Sequence, residues 1–118
     1  MTDRKLLELA AMAYWGSEID DVCSIRWLEE DQCIGYTHAD NQDHNGNDVE
    51  LCWNPLLDDG DAFRLAVKLS LLVDCLSHCA RPLPDSIEWQ EGSGPDACAN
   101  TRRAIVRAAA ELAKQEKP

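Results

Sequence analysis

The sequence predicts a single α+β domain spanning residues 1–118, with a mostly antiparallel sheet and helices on both of its faces, an α/β/α sandwich. Segments with apolar residues three and four positions apart are typical of helices, and they flank segments in which apolar and polar residues alternate, as in strands. The length suits one domain with a core large enough to fold unaided. In chain order the predicted elements are α-β-β-β-α-β-β-α.

The first predicted helix covers residues 3–14. Thr2 is a suitable N-cap, and Gly16 ends the helix because glycine readily adopts the backbone conformation found there. One side of this helix is apolar and should face the core; it consists of Leu6, Leu9, Ala10, Ala13 and Tyr14.

Three predicted strands follow, over residues 23–27, 33–38 and 49–53, each with alternating apolar residues. The first two are separated by an exposed acidic turn at residues 29–31. The polar loop over residues 40–48 contains Asn45-Gly46, a strong hairpin signal because both residues tolerate positive φ. Aligned as a calcium-binding loop with Gly46 in sixth place, the segment ends at Cys52 where a bidentate glutamate is required, so calcium is rejected.

The central segment, residues 53–69, combines the end of a strand, a turn and an amphipathic helix. Pro55 removes a backbone donor and stops the strand. Asp58 or Asp59 can cap the helix, whose positive N-terminal end favours carboxylates. The inner face of the helix comprises Ala62, Leu65, Ala66 and Leu69.

Beyond this helix, residues 71–77 fit either a strand or a continued helix, and Asp74 between apolar neighbours favours the strand. Residues 81–85 are predicted to form a loop, and Ile87 with Trp89 marks another short strand. The last helix is predicted over residues 95–114, with Ser93 or Gly94 near its cap and Pro95 in its first turn. Its inner side would be formed by Thr101, Ile105, Ala108, Ala109 and Leu112.

The net charge of −11 is concentrated in the first half of the chain. Residues 1–61 hold 15 acidic and 3 basic residues, giving −12, whereas residues 62–118 hold 7 and 8, giving +1. The acidic half argues against direct binding of nucleic acid, because that affinity depends on Lys and Arg. It allows either a solvated face that keeps the protein soluble or a surface that imitates a polyanion to a basic partner. The basic residues of the last helix, Arg103, Arg107 and Lys114, fit a solvated face or pairing with this acidic half better than a nucleic-acid interface.

No signature of catalysis or cofactor binding is present: phosphate loops, dinucleotide-binding glycines and metalloprotease motifs are missing. The N-terminus interrupts its leucines with charge and is not a signal peptide, so we expect a cytoplasmic protein with reduced thiols. Five cysteines lie among apolar residues and are expected to be inert; they are Cys23, Cys33, Cys52, Cys75 and Cys98. The rival interpretation is zinc at Cys75, His78 and Cys79, but a second ligand cluster is missing.

Three segments resemble a known family. All three are similar to the phage ABA sandwich domain, which is found in small bacteriophage and prophage proteins. The first is the central segment, with Trp53-Asn54-Pro55-Leu56, Asp58-Asp59-Gly60-Asp61-Ala62 and residues 64–69. The others are the last helix over residues 101–111 and the opening residues 6–11. Residues 40–48 and the cysteine-rich strand depart from that family. The resemblance implies a sheet sandwiched between helices and carries no catalytic motif.

The expected function is therefore that of a non-enzymatic phage or prophage accessory protein in the cytoplasm of a bacterial host. It would bind a host or phage protein with a basic, nucleic-acid-binding surface, and would need no cofactor, metal, membrane or direct nucleic-acid contact. Small acidic phage proteins commonly inhibit host or defence machinery, as anti-CRISPR proteins do. The expected contact residues are the exposed acids of three turns: Asp20, Asp21, Glu29, Glu30, Asp31, Asp40, Asp43 and Asp48. The alternative is a structural or assembly protein that self-associates through exposed aromatic residues.

Overall fold

The computed structural model describes residues 2–16, 22–74, 79–82, 89–90 and 96–115. The elements are α1 (Asp3–Trp15), β1 (Val22–Leu28), β2 (Cys33–Gln42), β3 (Asp48–Trp53), α2 (Asp59–Lys68), β4 (Leu71–Asp74), β5 (Cys79–Pro82), β6 (Trp89–Gln90) and α3 (Ala97–Gln115). The α+β class and the order of helices and strands are confirmed, with β5 as a further short strand before α3.

The first sheet has the antiparallel order β1-β2-β3. Its register places Ile34 between Trp27 and Trp53. Pairing of Gln42 with Asp48 extends the ladder, so Asp40 lies in β2 and Asp48 in β3. The predicted loop over residues 40–48 is thus too long. The hairpin tip is confined to residues 43–47, where Gly46 has the positive φ of 81° expected for its turn.

One face of this sheet carries the apolar residues and packs against α1. Side chains from α1 and the sheet form an aromatic cluster with ring centroids 5.0 to 5.4 Å apart; its members are Tyr14, Trp15, Tyr36 and Trp53. Trp15, absent from the predicted stripe of α1, is buried in this cluster. Thr2 caps α1 by accepting a hydrogen bond from the backbone of Lys5, as predicted.

The second sheet has the antiparallel order β4-β5-β6. Leu71 and Val73 are half-buried while Leu72 and Asp74 are exposed, which is the alternation predicted for a strand. Arg81 and Pro82 were predicted to form a loop, but they pair with Leu72 and Leu71 in β5. Residues 75–78 and Ile87 lie outside the described residues.

Helix α3 connects the two halves of the fold, since it packs against α1, α2 and the second sheet. Its apolar residues therefore extend around more of its circumference than a single stripe; those buried are Ala104, Ile105, Val106, Ala108, Ala109, Ala110 and Ala113. The strands thus form two sheets joined through α1 and α3, where the sequence analysis expected one sheet with helices on both faces.

The helix begins later than predicted. The carboxylate of Asp96 accepts a hydrogen bond from the backbone of Ala99, as an N-cap does, whereas Ser93, Gly94 and Pro95 lie outside the described residues. Among the helices described, none is long and apolar enough to cross a membrane.

Candidate protein-binding surfaces

The acidic turn between β1 and β2 is held in a defined conformation. Glu29 accepts hydrogen bonds from the indole of Trp27 at 2.8 Å and from the side chain of Gln32, which also bonds to the Glu29 carbonyl at 2.7 Å. Gln32 closes the turn with a φ of 52°. Glu30 and Asp31 are exposed and, among the described residues, make no hydrogen bond or ion pair. The turn therefore presents two uncompensated carboxylates to solvent.

Asp43 has a structural role at the other hairpin. Its carboxylate accepts hydrogen bonds from the backbones of Asn45 and Asn47, at 2.9 and 3.0 Å, and so organises the tip. Asp40 and Asp48 lie next to it in β2 and β3, and their side chains are not among those described. Asp20 and Asp21 fall outside the described residues.

The predicted acidic residues do not form one surface. The turn at residues 29–32 and the tip at residues 43–47 lie at opposite ends of β2, whose 10 residues separate them by roughly 30 Å at about 3.3 Å per residue. A single partner patch that touched all of them would have to span the whole sheet.

The start of α2 instead lies beside the first turn. The side chain of Asn54 donates a hydrogen bond of 2.9 Å to the carbonyl of Gln32, which brings the β3–α2 connection to this end of the sheet. We name this region the acidic end and define it by Glu29, Glu30, Asp31, Asp58 and Asp59. Sequence reasoning left Asp58 out because it was assigned to the start of the helix. The proximity of Asp58 and Asp59 to the turn depends on β3 returning beside the start of β2.

The central motif is explained by local structure. Asp61 is buried, and its carboxylate accepts hydrogen bonds from the backbone of Asn54 at 2.9 Å and from the guanidinium of Arg64 at 2.6 Å. Asp58 caps α2 by accepting from the backbone of Asp61, as predicted. The hydrogen bond to Asp61 raises the pKa of Arg64, so this guanidinium stays charged. The carboxylates that might have suggested acid–base chemistry are thus occupied by backbone and arginine partners.

Two arginines of α3 pair with acidic residues in the first half of the chain. Arg102 donates to Asp59 at 2.6 Å and to the carbonyl of Leu56 at 2.8 Å. Arg103 pairs with Asp3 at 2.9 Å. These contacts support the interpretation that basic residues of α3 pair with the acidic half of the same chain. The side chain of Arg102 is also largely buried.

An apolar groove of about 550 Å³ runs between α2, β4 and α3. Its walls include Phe63, Val67, Leu71, Val73 and Ile105, and Asp59 and Arg102 lie among its polar lining residues. Phe63 and Val67 expose 69% and 62% of their surface. The alternative function was expected to use exposed aromatic residues. Trp15 and Trp53 are buried, whereas Phe63 is exposed.

The prediction of reduced, inert thiols is wrong for two of the residues described. Cys33 and Cys52 form a disulfide, because their register places them diagonally on the same face of β2 and β3 with Cα atoms 6.1 Å apart. Cys98 is exposed beside the groove, whereas Cys79 is buried. Of the proposed zinc ligands, Cys75 and His78 lie outside the described residues, within which no group of three candidate ligands is found.

No known protein family, curated protein or solved structure is matched by this chain. The resemblance to the phage ABA sandwich domain therefore stays a prediction that depends on the motifs alone.

Proposed function

We propose that the chain is a non-enzymatic phage or prophage accessory protein that binds another protein through its acidic end. The partner would present a basic surface that normally contacts nucleic acid, as in a host nucleic-acid-binding or defence complex of the kind that anti-CRISPR proteins obstruct. The observation that carries the proposal is the pair of exposed carboxylates, Glu30 and Asp31, which have no partner within the described part of the chain and lie on a turn fixed by hydrogen bonds.

The charge distribution supports this choice of surface. The excess of −12 in residues 1–61 gives the first half of the chain a field that accelerates encounter with a basic partner. Asp58 and Asp59 extend the negative region beyond the turn, although Arg64 and Arg102 partly offset their charge. Glu30 and Asp31 are thus the best candidates for direct contact.

The proposal predicts that reversing Glu30 and Asp31 to lysine slows association with the partner at least about tenfold, because complementary charge acts mainly on the association rate. Immobilised protein would first capture partners from host lysate, and the association rate would then be measured at about 50 and 300 mM salt, between which screening shortens the range of the interaction. Double-stranded DNA should displace the partner, since both would occupy its basic surface.

The matched control reverses Glu8 and Glu111, which changes the net charge equally but lies on α1 and α3. The Glu30 and Asp31 variant should melt near the wild-type temperature, because exposed substitutions usually change stability by no more than about 0.5 kcal/mol. Glu8 and Glu111 are half-buried and paired with Arg4 and Lys114, so the control is compared at a temperature where circular dichroism shows it folded. Equal slowing by the two variants, or a partner that DNA does not displace, would contradict an acidic-end interface. Absence of any partner would favour the alternative, a self-associating assembly protein without a host target.

A further inference from the structure

The Cys33–Cys52 disulfide lies at the acidic end of the first sheet. Cys33 directly follows Gln32, whose side chain closes the β1–β2 turn against Glu29. Cys52 comes two residues before Asn54, whose side chain donates a hydrogen bond of 2.9 Å to the carbonyl of Gln32. The covalent bond and this hydrogen bond therefore join the same two segments, the turn and the β3–α2 connection.

The β3–α2 connection is ordered around Asn54. Its backbone N–H donates to the carboxylate of Asp61, its side-chain oxygen accepts from the backbone of Leu56 at 3.0 Å, and its carbonyl accepts from the backbone of Asp58 at 2.9 Å. A shift of Asn54 would therefore disturb the start of α2, where Asp58 caps the helix. Because Asn54 also bonds to the turn, the link between β2 and β3 at this point fixes both parts of the acidic end.

The two cysteines differ in their access to solvent. Cys52 is exposed on β3, which among the strands described pairs on one side only, whereas Cys33 is 1% exposed. Thiols open a disulfide by direct attack on one of its sulfur atoms, so exposed disulfides are the labile, regulatory ones. An incoming thiol can thus react at Cys52 while the sheet stays folded.

We propose that Cys33 and Cys52 form a redox-sensitive switch that fixes the acidic end when oxidised and loosens it when reduced by a dithiol. One thiolate of the dithiol attacks the sulfur of Cys52, and the electron pair of the broken sulfur–sulfur bond goes to Cys33, which takes up a proton. The second thiolate attacks the mixed disulfide, closes the disulfide of the reductant and releases Cys52, which is also protonated. The protein gains two electrons and two protons, and a small-molecule disulfide reverses the reaction.

Reduction should loosen the acidic end without unfolding the protein. The remaining β2–β3 pairs, the aromatic cluster and the packing of α3 against α1 do not include the cross-link. The hairpin tip at residues 43–47 lies at the opposite end of β2, so it should keep its structure in both redox states.

The consequence for binding rests on the proposed function and adds a regulation of the same site. A fixed turn presents Glu30 and Asp31 in one arrangement, so a partner does not have to order them, and such preorganisation raises affinity. Reduction should therefore raise the dissociation constant of the partner complex several-fold. The change in the acidic end itself needs no partner, so the switch and the proposed function can fail separately.

Amide hydrogen exchange followed by NMR tests the switch on the free protein, first oxidised and then treated with dithiothreitol. The reporters are hydrogen-bonded backbone amides of the β3–α2 connection, those of Asn54, Leu56 and Asp58. The reference is the hairpin tip, with the backbone amides of Asn45 and Asn47. Reduction should speed exchange of the reporters at least about fivefold, because local opening no longer has to keep the two segments joined, and should leave the reference within about twofold.

Two variants distinguish the disulfide from the other thiols. Cys52→Ser should show the fast exchange without reductant, since it replaces only the exposed member of the pair and leaves Cys33 as a buried thiol. Cys98→Ser removes an exposed cysteine outside the bond and should respond to dithiothreitol as the wild type does.

Three results would overturn the switch, whether or not a partner is found. They are equal exchange in both redox states, an equal rise at the hairpin tip, and loss of the folded circular dichroism spectrum on reduction. For a captured partner, a dissociation constant that is the same for the oxidised and the reduced protein would overturn the regulation of binding. Failure to capture any partner would contradict the proposed function, whereas the exchange measurement still decides the switch.

Discussion

At the scale of single residues, the central motif is held by a few buried side chains. Asp61 joins Asn54 on one side to Arg64 on the other, so the β3–α2 connection and the first turns of α2 share one hydrogen-bond network. Behind this network Leu65 is fully buried, whereas Leu69 is only half-buried at the end of the helix. The two leucines were predicted as equivalent members of one stripe, and the structure distinguishes them.

The residue-level prediction follows from this difference. Leu65→Ala should lower the free energy of unfolding by about 2–5 kcal/mol, because it removes a fully buried side chain and leaves a cavity. Leu69→Ala should cost clearly less, since part of that side chain already contacts water. Urea denaturation of the two variants measures both values, and equal losses would contradict the burial difference.

At the scale of elements, the first sheet is reinforced by covalent and ionic links between its strands. The Cys33–Cys52 disulfide ties β2 to β3 on one face of the sheet. On that face Arg26 of β1 also binds Glu50 of β3 through two hydrogen bonds of 2.8 Å, which pass over Gly35 of β2. A Cβ atom at Gly35 would lie 2.8 Å from the side chain of Leu28, so any other residue at this position would force Leu28 to shift.

Reduction of the disulfide is expected to lower the free energy of unfolding by about 2–4 kcal/mol, since the cross-link constrains the unfolded chain. The two cysteines are 19 residues apart in the sequence, which is long enough for the cross-link to change the free energy of unfolding by this amount. Denaturant titrations with and without a phosphine reductant give the difference. The double variant Cys33→Ser, Cys52→Ser should respond to reductant hardly at all, and a wild-type protein equally indifferent would mean that the thiols are not paired.

At the scale of the whole molecule, the described parts of the two sheets are joined through α1 and α3. The buried surfaces of these helices are rich in alanine, which allows close approach; examples are Ala10, Ala104 and Ala108. A change at this helical layer should therefore affect both halves of the fold.

The prediction at this scale is that Ala108→Leu destabilises the protein by about 1–3 kcal/mol, because the extra carbons overpack a filled site. Amide hydrogen exchange should show reduced protection in both sheets. Ala97→Leu, at an exposed position of the same helix, should leave exchange unchanged. Loss of protection confined to one sheet would contradict the connecting role of α3.

Local patterns in the sequence are sufficient for most of the elements. Several of these patterns depend only on neighbours a few residues apart, so they could be recognised before the fold was known. They are the alternation of Val49, Leu51 and Trp53, the Asn45-Gly46 turn, and the helix caps Thr2 and Asp58. The length of β2 and the existence of β5 were missed, because pairing across strands stabilises residues such as Asp40 and Pro82 that local propensity assigns to loops.

The sequence by itself determined the α+β class, the caps and the concentration of negative charge in the first half of the chain. Only the tertiary structure decided that Cys33 bonds to Cys52 and that Phe63 stays outside the core. It also decided that Asp58 and Glu30 lie at one end of the first sheet, while Asp43 lies at the opposite end. Each of these depends on contacts between residues distant in sequence, whose register and orientation are set by how β2, β3 and α2 pack together. Periodicity reports which side of an element is apolar, but not which other element, if any, covers it.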